Sequence, residues 1–459
     1  MKNFILFFSF LAFQLVSVSQ TNDSIKIRQI YNEALANGES YENLRSLCKD
    51  VGNRISGSEG AEKAVEWGEA LLKSYNFDTV WLQPIMVPKW YRGATEKLTV
   101  NSPINQEIEV LALGGSVGTN GKLTAQLVII ESLEKLKELP EKALANKIVL
   151  LNEGFDPTTI NTFEAYGPCA TQRYLGASEA AKKGAVACLV RSAGSPTDEF
   201  PHTGSMSYEE GVRKIPTAAI STSKANLLEN LAKSNQVIEL SLNLTCQDFG
   251  MVQSFNVIAE LKGSENPEQI IAVGGHLDSW DVGEGAHDDG AGVIHSIEAL
   301  RIFKVLGIRP KNTIRCILFM NEENGNNGGK SYAEMVKQKG EKHLAAIESD
   351  RGGFVPRGFS FDAQNYQLLN AKKWEKLFEP YFIHIWKKGY GGVDIKPLEN
   401  GKTALIGFIP DPQRYFDFHH TDDDVFENVH KRELELGCAS IASLIYLIDQ
   451  YGLEDGKNP

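Results

Sequence analysis

After residue 250 the sequence alternates regularly between strand-like and helix-like segments. SFNVIAELKG and QIIAVGGHLD have the pattern of strands, and so do the later segments TIRCILFMNEE and AAIESD. Helix-like stretches lie near 291–306, 330–339, 364–380 and 431–451. Apolar strands that alternate with helices predict an α/β fold, with a mixed, largely parallel sheet flanked by helices. Ligand chemistry in such folds is expected at the carboxyl ends of the strands.

The predicted strand ends and two later turns carry side chains that can bind a cation or move a proton. They are His276, Asp278, Asp288, Asp289, Glu322, Glu323, Asp350, His419 and His420. Each of them alone is more often structural, because paired acids commonly cap helices. Gathered at one sheet edge, however, they would be costly unless a cation bound there. Nitrogen and oxygen donors suit zinc, and so many carboxylates favour a pair of ions about 3.5–4 Å apart.

The motifs that carry these residues resemble those of a known enzyme family. HLDSWD, GEGAHDDGAG, NEEN, ESD and FHHT occur in the order typical of the co-catalytic di-zinc aminopeptidases and glutamate carboxypeptidases. GNRISGSEG at 52–60, VPKWYRG at 87–93 and GGVDIKPL at 391–398 extend the likeness over nearly the whole chain. The resemblance implies a zinc aminopeptidase-like fold that contains an inserted protease-associated-like α/β domain.

The resemblance also implies a role for each site residue. The implied ligands are His276 and Asp350 for one zinc ion, Glu323 and His420 for the other, and Asp288 as the bridge between them. Glu322 would be the general base, taking the proton of a metal-bridged water as that water attacks a peptide carbonyl. Asp278 would orient His276 through its second ring nitrogen. A cis peptide bond is implied after Asp288.

Four positions depart from the family pattern or carry no assigned role. His287, before the implied bridging Asp288, is predicted to be a surface histidine rather than a further partner of the site. Arg351 follows a ligand position and either faces a substrate carboxylate or points to solvent. His419 stands where relatives often have tyrosine, and a role in stabilising the oxyanion is a hypothesis. The run 422–424 is predicted to be an exposed helix cap.

The chain is expected to consist of a leader and two domains. In residues 1–19, Lys2 precedes an apolar run and small residues follow it, which is the pattern of a signal peptide. The run is shorter than the roughly 20 residues that span a bilayer, so export to the periplasm or the extracellular space is predicted, without a stable membrane anchor. Residues 20–102 and 248–459 are predicted to form the catalytic domain, and 103–247 the insert.

Charge and cysteine content exclude two other classes of site. The 459 residues include 47 Lys+Arg and 59 Asp+Glu, a net charge of −12, so nucleic acid is a poor candidate partner. The six cysteines form no CxxC pair, which argues against a cysteine metal site. Cys316 is predicted to be a buried thiol, and pairing among the other five stays open.

The predicted function is that of an exported exopeptidase with two zinc ions per chain. Its substrates would be dipeptides or short peptides with a free terminus, and the residues favour neither the amino nor the carboxyl end. The resemblance suggests a homodimer. The alternatives are a glutaminyl cyclase, which shares the fold but uses one zinc ion, and a non-catalytic binding relative. The complete set of implied ligands argues against the second.

Overall fold

The computed structural model describes residues 22–234 and 236–454, in which strands form two eight-stranded sheets. The predicted signal peptide at 1–19 lies outside the described residues. The strands are β1 Thr79–Tyr91, β2 Glu96–Ser102, β3 Gln106–Ile108, β4 Leu111–Ala112, β5 Leu123–Ile130, β6 Lys147–Leu151, β7 Ala187–Arg191, β8 Thr217–Ile220, β9 Glu239–Leu244, β10 Gln247–Leu261, β11 Asn266–His276, β12 Asn312–Phe319, β13 Lys342–Glu348, β14 Pro356–Asp362, β15 Ile385–Lys388 and β16 Ala404–Pro410.

Helices flank both sheets. The helices are α1 22–37, α2 Ser40–Ser46, α3 Glu59–Ser74, α4 Leu133–Glu138, α5 Thr162–Lys182, α6 Thr222–Lys233, α7 Ala291–Val305, α8 Asn327–Lys339, α9 Asn365–Lys372, α10 Glu375–Phe378, α11 Tyr415–Phe418 and α12 Lys431–Tyr451. None of these helices combines the length and apolar composition needed to cross a membrane.

The first sheet has the strand order β1-β10-β12-β11-β13-β16-β14-β15. Strands β12, β11, β13 and β16 run parallel, and β14 and β15 are parallel to each other. The pairs β1–β10, β10–β12 and β14–β16 are antiparallel. Every residue of β12 is buried, and successive side chains enter opposite cores. Cys316 and Leu318 join the core that contains α3, α7 and α12, while Ile317 and Phe319 join the core under α8. This is the mixed, helix-flanked sheet that the sequence predicts.

The second sheet has the strand order β3-β2-β9-β5-β6-β7-β8-β4. Its parallel centre, from β5 to β8, is covered by α4 and α5 on one face and by α6 on the other. Its first strand in the chain begins at Glu96, within the range predicted for the catalytic domain. The division at 103 and 247 stays a prediction.

All six cysteines are buried and free, so the described residues contain no disulfide among them. The prediction of a buried thiol at Cys316 is confirmed. With apolar cores on both faces of both sheets, a fold of this size does not require cross-links.

Candidate active site

Three adjacent parallel strands end at one edge of the first sheet and carry candidate residues there. His276 is the last residue of β11, Glu322 and Glu323 follow β12, and Asp350 lies just beyond β13. Because β12, β11 and β13 are neighbours in that order, these side chains converge. The turn before α7 brings Asp288 to the same edge.

The two oxygens of Asp288 face two different histidines. His276 Nε2 lies 3.2 Å from Asp288 Oδ1 and 3.5 Å from Asp350 Oδ1. His420 Nε2 lies 3.1 Å from Asp288 Oδ2 and 3.2 Å from Glu323 Oε2. The structure therefore brings together all five residues predicted as ligands, with Asp288 between two His–carboxylate pairs.

The turn that carries Asp288 is held from two sides. The buried Asp424 accepts the backbone N–H groups of His287 and Asp288, at 2.8 and 3.0 Å. The fully buried Arg54 donates to the carbonyl oxygens of residues 277, 284 and 285. The peptide bond between Asp288 and Asp289 is cis. The prediction of an exposed cap at 422–424 is therefore wrong for Asp424, because two backbone donors at the site need a buried acceptor.

Asp278 contacts the second ring nitrogen of His276 as expected, but through its backbone carbonyl and not through its carboxylate. His276 Nδ1 donates to the backbone carbonyl of Asp278 at 2.9 Å, and the Asp278 carboxylate lies 3.9 Å from that nitrogen. The carboxylate instead accepts the backbone N–H groups of Asn321, Glu322 and Glu323 at 2.7, 3.1 and 3.3 Å. Asp278 thus orients His276 through its main chain and holds the segment of Glu322 through its side chain.

Burial and charge oppose each other in the pKa values of the central groups. Burial lowers the pKa of His276, but its bonds to Asp288 and Asp350 outweigh this and leave the pKa well above the usual value. Burial raises the pKa of Asp288, yet His276 and His420 together hold it well below its usual range. The centre therefore favours a negative bridging carboxylate.

The surrounding acids hold their protons more tightly than exposed acids do. Burial raises the pKa of Glu322 well above its usual value, and the neighbouring Asp350 and Glu323 add to this although His276 opposes it. Burial raises the pKa of Glu323 to about 7 and that of Glu348 to about 8. So many buried carboxylates repel one another, and a bound cation would relieve that repulsion.

The donor set fits divalent metal ions of the zinc type. The candidate ligand atoms of His276, Asp288 and Asp350 lie within 4.8 Å of one another, and so do those of Asp288, His419 and His420. Glu323 Oε1 is buried without a hydrogen-bond partner among the described residues. A buried carboxylate oxygen with no donor is the kind of atom that a cation satisfies.

A cavity of about 330 Å³ opens onto this centre. Glu322, Asp350 and His420 line it from the first sheet, while α5 and the loop after β7 contribute Phe163, Tyr166, Arg173 and Ser205 from the second. Its volume lies in the range of small-molecule sites. The sequence predicted none of these four residues as site residues, since nothing in their local pattern links α5 to strand ends far along the chain.

The three departures from the family pattern have different outcomes. His287 is buried, and its ring stacks 4.2 Å from that of Phe354; burial lowers its pKa to about 4. The prediction of a surface histidine is wrong, because the ring fills an aromatic core. His419 is buried and stacks on His420 at 3.5 Å, with Nε2 3.7 Å from Asp288. Arg351 lines the cavity.

Comparison with known proteins identifies the family. Residues 256–444 match the model of peptidase family M28. Carboxypeptidase Q from Homo sapiens is 35% identical over 414 residues, which cover 90% of this chain and 86% of that relative. The chain belongs to peptidase family M28. The family resemblance seen in the motifs is thereby confirmed.

Solved structures place this M28 chain in the expected fold. A peptidase M28 precursor from Shewanella amazonensis SB2B superposes with a TM-score of 0.90 at 35% identity, covering 94% of this chain and 97% of that chain. An aminopeptidase from Aneurinibacillus sp. strain AM-1 superposes with a TM-score of 0.61 at 21% identity, covering 92% and 95%. The second likeness shows the fold alone, and the α/β fold class is confirmed.

Proposed function

We propose that this M28 peptidase is a zinc-dependent exopeptidase that hydrolyses dipeptides or short peptides with a free terminus. The observation that carries the proposal is the convergence of two histidines and two carboxylates on Asp288, at a cavity whose wall includes Glu322. The names of the relatives include both a carboxypeptidase and an aminopeptidase. Besides carboxypeptidase Q, a probable leucine aminopeptidase 2 from Aspergillus fumigatus is 27% identical over 373 residues, covering 78% of this chain and 66% of that relative.

The proposed metal ligands are His276 and Asp350 for one ion, His420 and Glu323 for the other, and Asp288 shared between them. Zinc, when bound there, supplies a Lewis acid that polarises a carbonyl oxygen and lowers the pKa of water. Asp278 O keeps His276 Nδ1 protonated, so Nε2 presents its lone pair to the site. The carbonyl of Thr203 does the same for His420 from a distance of 3.2 Å.

Glu322 is the proposed general base. Its raised pKa suits a carboxylate that takes a proton from the attacking water and returns it to the departing amine nitrogen. The Asp278 carboxylate fixes the backbone around Glu322, because it accepts the N–H groups of Asn321, Glu322 and Glu323. His419, buried beside Asp288, is proposed to stabilise the oxyanion. Export directed by residues 1–19 and a homodimer stay predictions.

Replacing Glu322 tests the proposed base. We expect E322Q to retain its zinc and to lose about 10²–10⁴-fold in kcat on a dipeptide that the wild type cleaves, because glutamine cannot carry the proton. Metal analysis and steady-state kinetics measure the two quantities separately. E334Q, at an exposed position in α8, is the matched control and should behave as the wild type. An E322Q enzyme with wild-type kcat would remove Glu322 from this role.

A substrate panel with and without a chelator tests the reaction class. The proposal expects dipeptide hydrolysis that a chelator abolishes and added zinc restores. Cyclisation of an amino-terminal glutamine peptide, without dipeptide hydrolysis, would instead identify a glutaminyl cyclase. Failure to act on either substrate while zinc is bound would support a binding protein.

A further inference from the structure

His420 is held in an uncommon backbone conformation by residues from distant parts of the chain. Its φ of +63° lies in the left-handed region, which residues other than glycine adopt at a cost, so the surrounding structure has to hold it there. Thr203, in the loop after β7, donates its N–H to the His420 carbonyl at 3.0 Å and accepts from His420 Nδ1 at 3.2 Å. The ring of Trp280 packs edge-to-face with that of His420, with the ring centres 5.6 Å apart. Thr203 and Trp280 thus fix the direction in which His420 Nε2 points.

The buried guanidinium of Arg92 binds both of these supports. Arg92 lies between β1 and β2 and is 7% exposed. Its Nη2 donates to Thr203 Oγ1 at 3.3 Å, and its Nε and Nη2 donate to the two carboxylate oxygens of Asp281 at 2.9 and 2.5 Å. Asp281 directly follows Trp280 in the chain, so the ion pair also fixes the loop that carries the Trp280 ring. A planar fork that binds a carboxylate in this bidentate geometry is rigid.

The Thr203 hydroxyl completes a closed ring of hydrogen bonds. It accepts from Arg92 Nη2 and donates to the carbonyl of Ala112, in β4, at 2.9 Å. Arg92 Nη1 donates to the same carbonyl at 2.5 Å. Thr203 is fully buried, so water does not compete for these bonds. The ring of bonds leaves Thr203 one position between the second sheet and His420.

We propose that Arg92 is a positioning residue for the metal centre. By holding Thr203 and the loop of Trp280, it sets the orientation of the His420 ring and thereby the affinity for the zinc ion that His420 binds. This inference rests on the proposed function and extends it to a residue whose hydrogen bonds, among the described residues, reach none of the five proposed ligands. It also makes the second sheet a part of the metal centre, because Thr203 belongs to that sheet's loops.

The expected effect of Arg92 is confined to one of the two ions. His276, a proposed ligand of the other ion, is oriented by the carbonyl of Asp278. Three backbone N–H groups after β12 hold the Asp278 carboxylate, so His276 should keep its orientation without Arg92. Loss of Arg92 should therefore weaken the binding of the ion at His420 selectively.

Zinc binding, measured by competition with a chelator, tests the inference without relying on activity. We expect the wild type to bind two zinc ions and R92Q to bind one of them about 10- to 100-fold more weakly, while the Kd of the other changes less than about 3-fold. R301Q is the matched control. The buried Arg301, in α7, binds Glu298 in the same bidentate geometry at 2.8 and 2.7 Å and donates to the carbonyl of Asn37 at 3.3 Å. R301Q should keep both Kd values, because none of these partners holds a proposed ligand.

Substitution of Thr203 tests the same link with the ion pair of Arg92 intact, and it decides the question if R92Q does not fold. T203V removes the hydroxyl and keeps both main-chain bonds to His420, so we expect the affinity for the same ion to fall about 3- to 10-fold. T203S keeps the hydroxyl and should bind both ions as the wild type does. A folded R92Q or T203V that binds both ions as tightly as the wild type, or that loses both equally, overturns the inference alone. A wild type that binds fewer than two zinc ions overturns the proposed two-ion centre, and with it the inference.

Discussion

Single residues at this site act as much through the backbone as through their side chains. Asp278 uses its carbonyl for His276 and its carboxylate for three backbone N–H groups after β12. The same strand is held at its other end by Asp449, which accepts the N–H groups of Lys311 and Asn312 at 3.0 and 2.8 Å. The two aspartates make similar bonds, but only Asp278 lies at the candidate active site.

We expect D278N to lower kcat about 10- to 100-fold. The asparagine NH₂ group would face one of the backbone N–H groups that the carboxylate now accepts, and two donors cannot bond to each other, so the segment that carries Glu322 would be held less firmly. Kinetics with metal analysis and circular dichroism measure activity, metal content and folding. D449N is the control, since it removes the same kind of bond from the remote end of β12. It should lower stability while the folded enzyme keeps its kcat. Equal losses of kcat in both variants would show that Asp278 acts only through stability.

The sequence predicted the residues of the centre better than those that support it. The five proposed ligands and Glu322 stand at strand ends or in turns, within recognisable motifs, and the structure brings them together. The predictions for Asp424 and His287 are wrong because a run of acids and a lone histidine are both typical of a protein surface. Their partners, the backbone of the Asp288 turn and the ring of Phe354, are set by tertiary packing that no local pattern records.

Among the helices and strands, the sequence predicts those with a strong periodic pattern and misses the short ones. The terminal helix predicted at 431–451 is α12, and the predicted strands after 250 are all present. No pattern predicted β14, β15 or β16, because each has no more than seven residues and periodicity cannot assign runs so short. Within the segment of α5 the sequence predicts a helix only at 178–183, because Pro168 and two glycines interrupt the helical pattern before it.

The start of α7 approaches the sheet closely enough to require glycine. A methyl group at Gly292 would overlap the carbonyl oxygen of Ser349 and the carboxylate of Asp289. We expect G292A to lower the free energy of unfolding by about 1–3 kcal/mol, because backbone cannot yield as a side chain can. Activity should also fall, since Asp289 accepts the N–H of His276. Denaturant titration measures the free energy of unfolding, and steady-state kinetics measures the activity.

The control is another helical glycine that faces the first sheet. At Gly68 in α3 a methyl would meet the side-chain ends of Leu318 and Val257, which can shift. G68A should therefore change the free energy of unfolding by less than about 1 kcal/mol, because the higher helix propensity of alanine offsets the tighter contact. A G292A variant as stable as G68A would contradict the close approach of α7.

The molecule contains buried histidines outside the proposed ligand set that should make its stability sensitive to acid. Burial lowers the pKa of His343 to about 3, and Arg315 adds to this while Glu341 opposes it. Burial also lowers the pKa of His295 to about 3. An unfolded histidine titrates near 6.5, so below that pH the unfolded chain binds protons that the folded chain does not. Stability is therefore lost as the pH falls from about 6.5 toward 3.

We expect each of these histidines to reduce the free energy of unfolding by about 2 kcal/mol between pH 7 and pH 5. H343Q should lose about 2 kcal/mol less than the wild type over this range, whatever its stability at pH 7. Denaturant unfolding at the two pH values measures the difference. H384Q, at an exposed histidine, should match the wild type. If H343Q lost as much free energy of unfolding between pH 7 and pH 5 as the wild type does, His343 would not be neutral and buried in the folded protein.

The two hydrogen bonds between Thr203 and His420 have a consequence for how the chain folds. Thr203 donates its N–H to the carbonyl of His420 at 3.0 Å and accepts from His420 Nδ1 at 3.2 Å. These residues are 217 positions apart in the chain and belong to parts of the molecule built on different sheets. Closing a loop of this length costs entropy, so we expect this pairing to form late in folding. We therefore expect a newly made chain to acquire its complete centre only when both sheets have folded and docked, so that partly folded molecules lack activity.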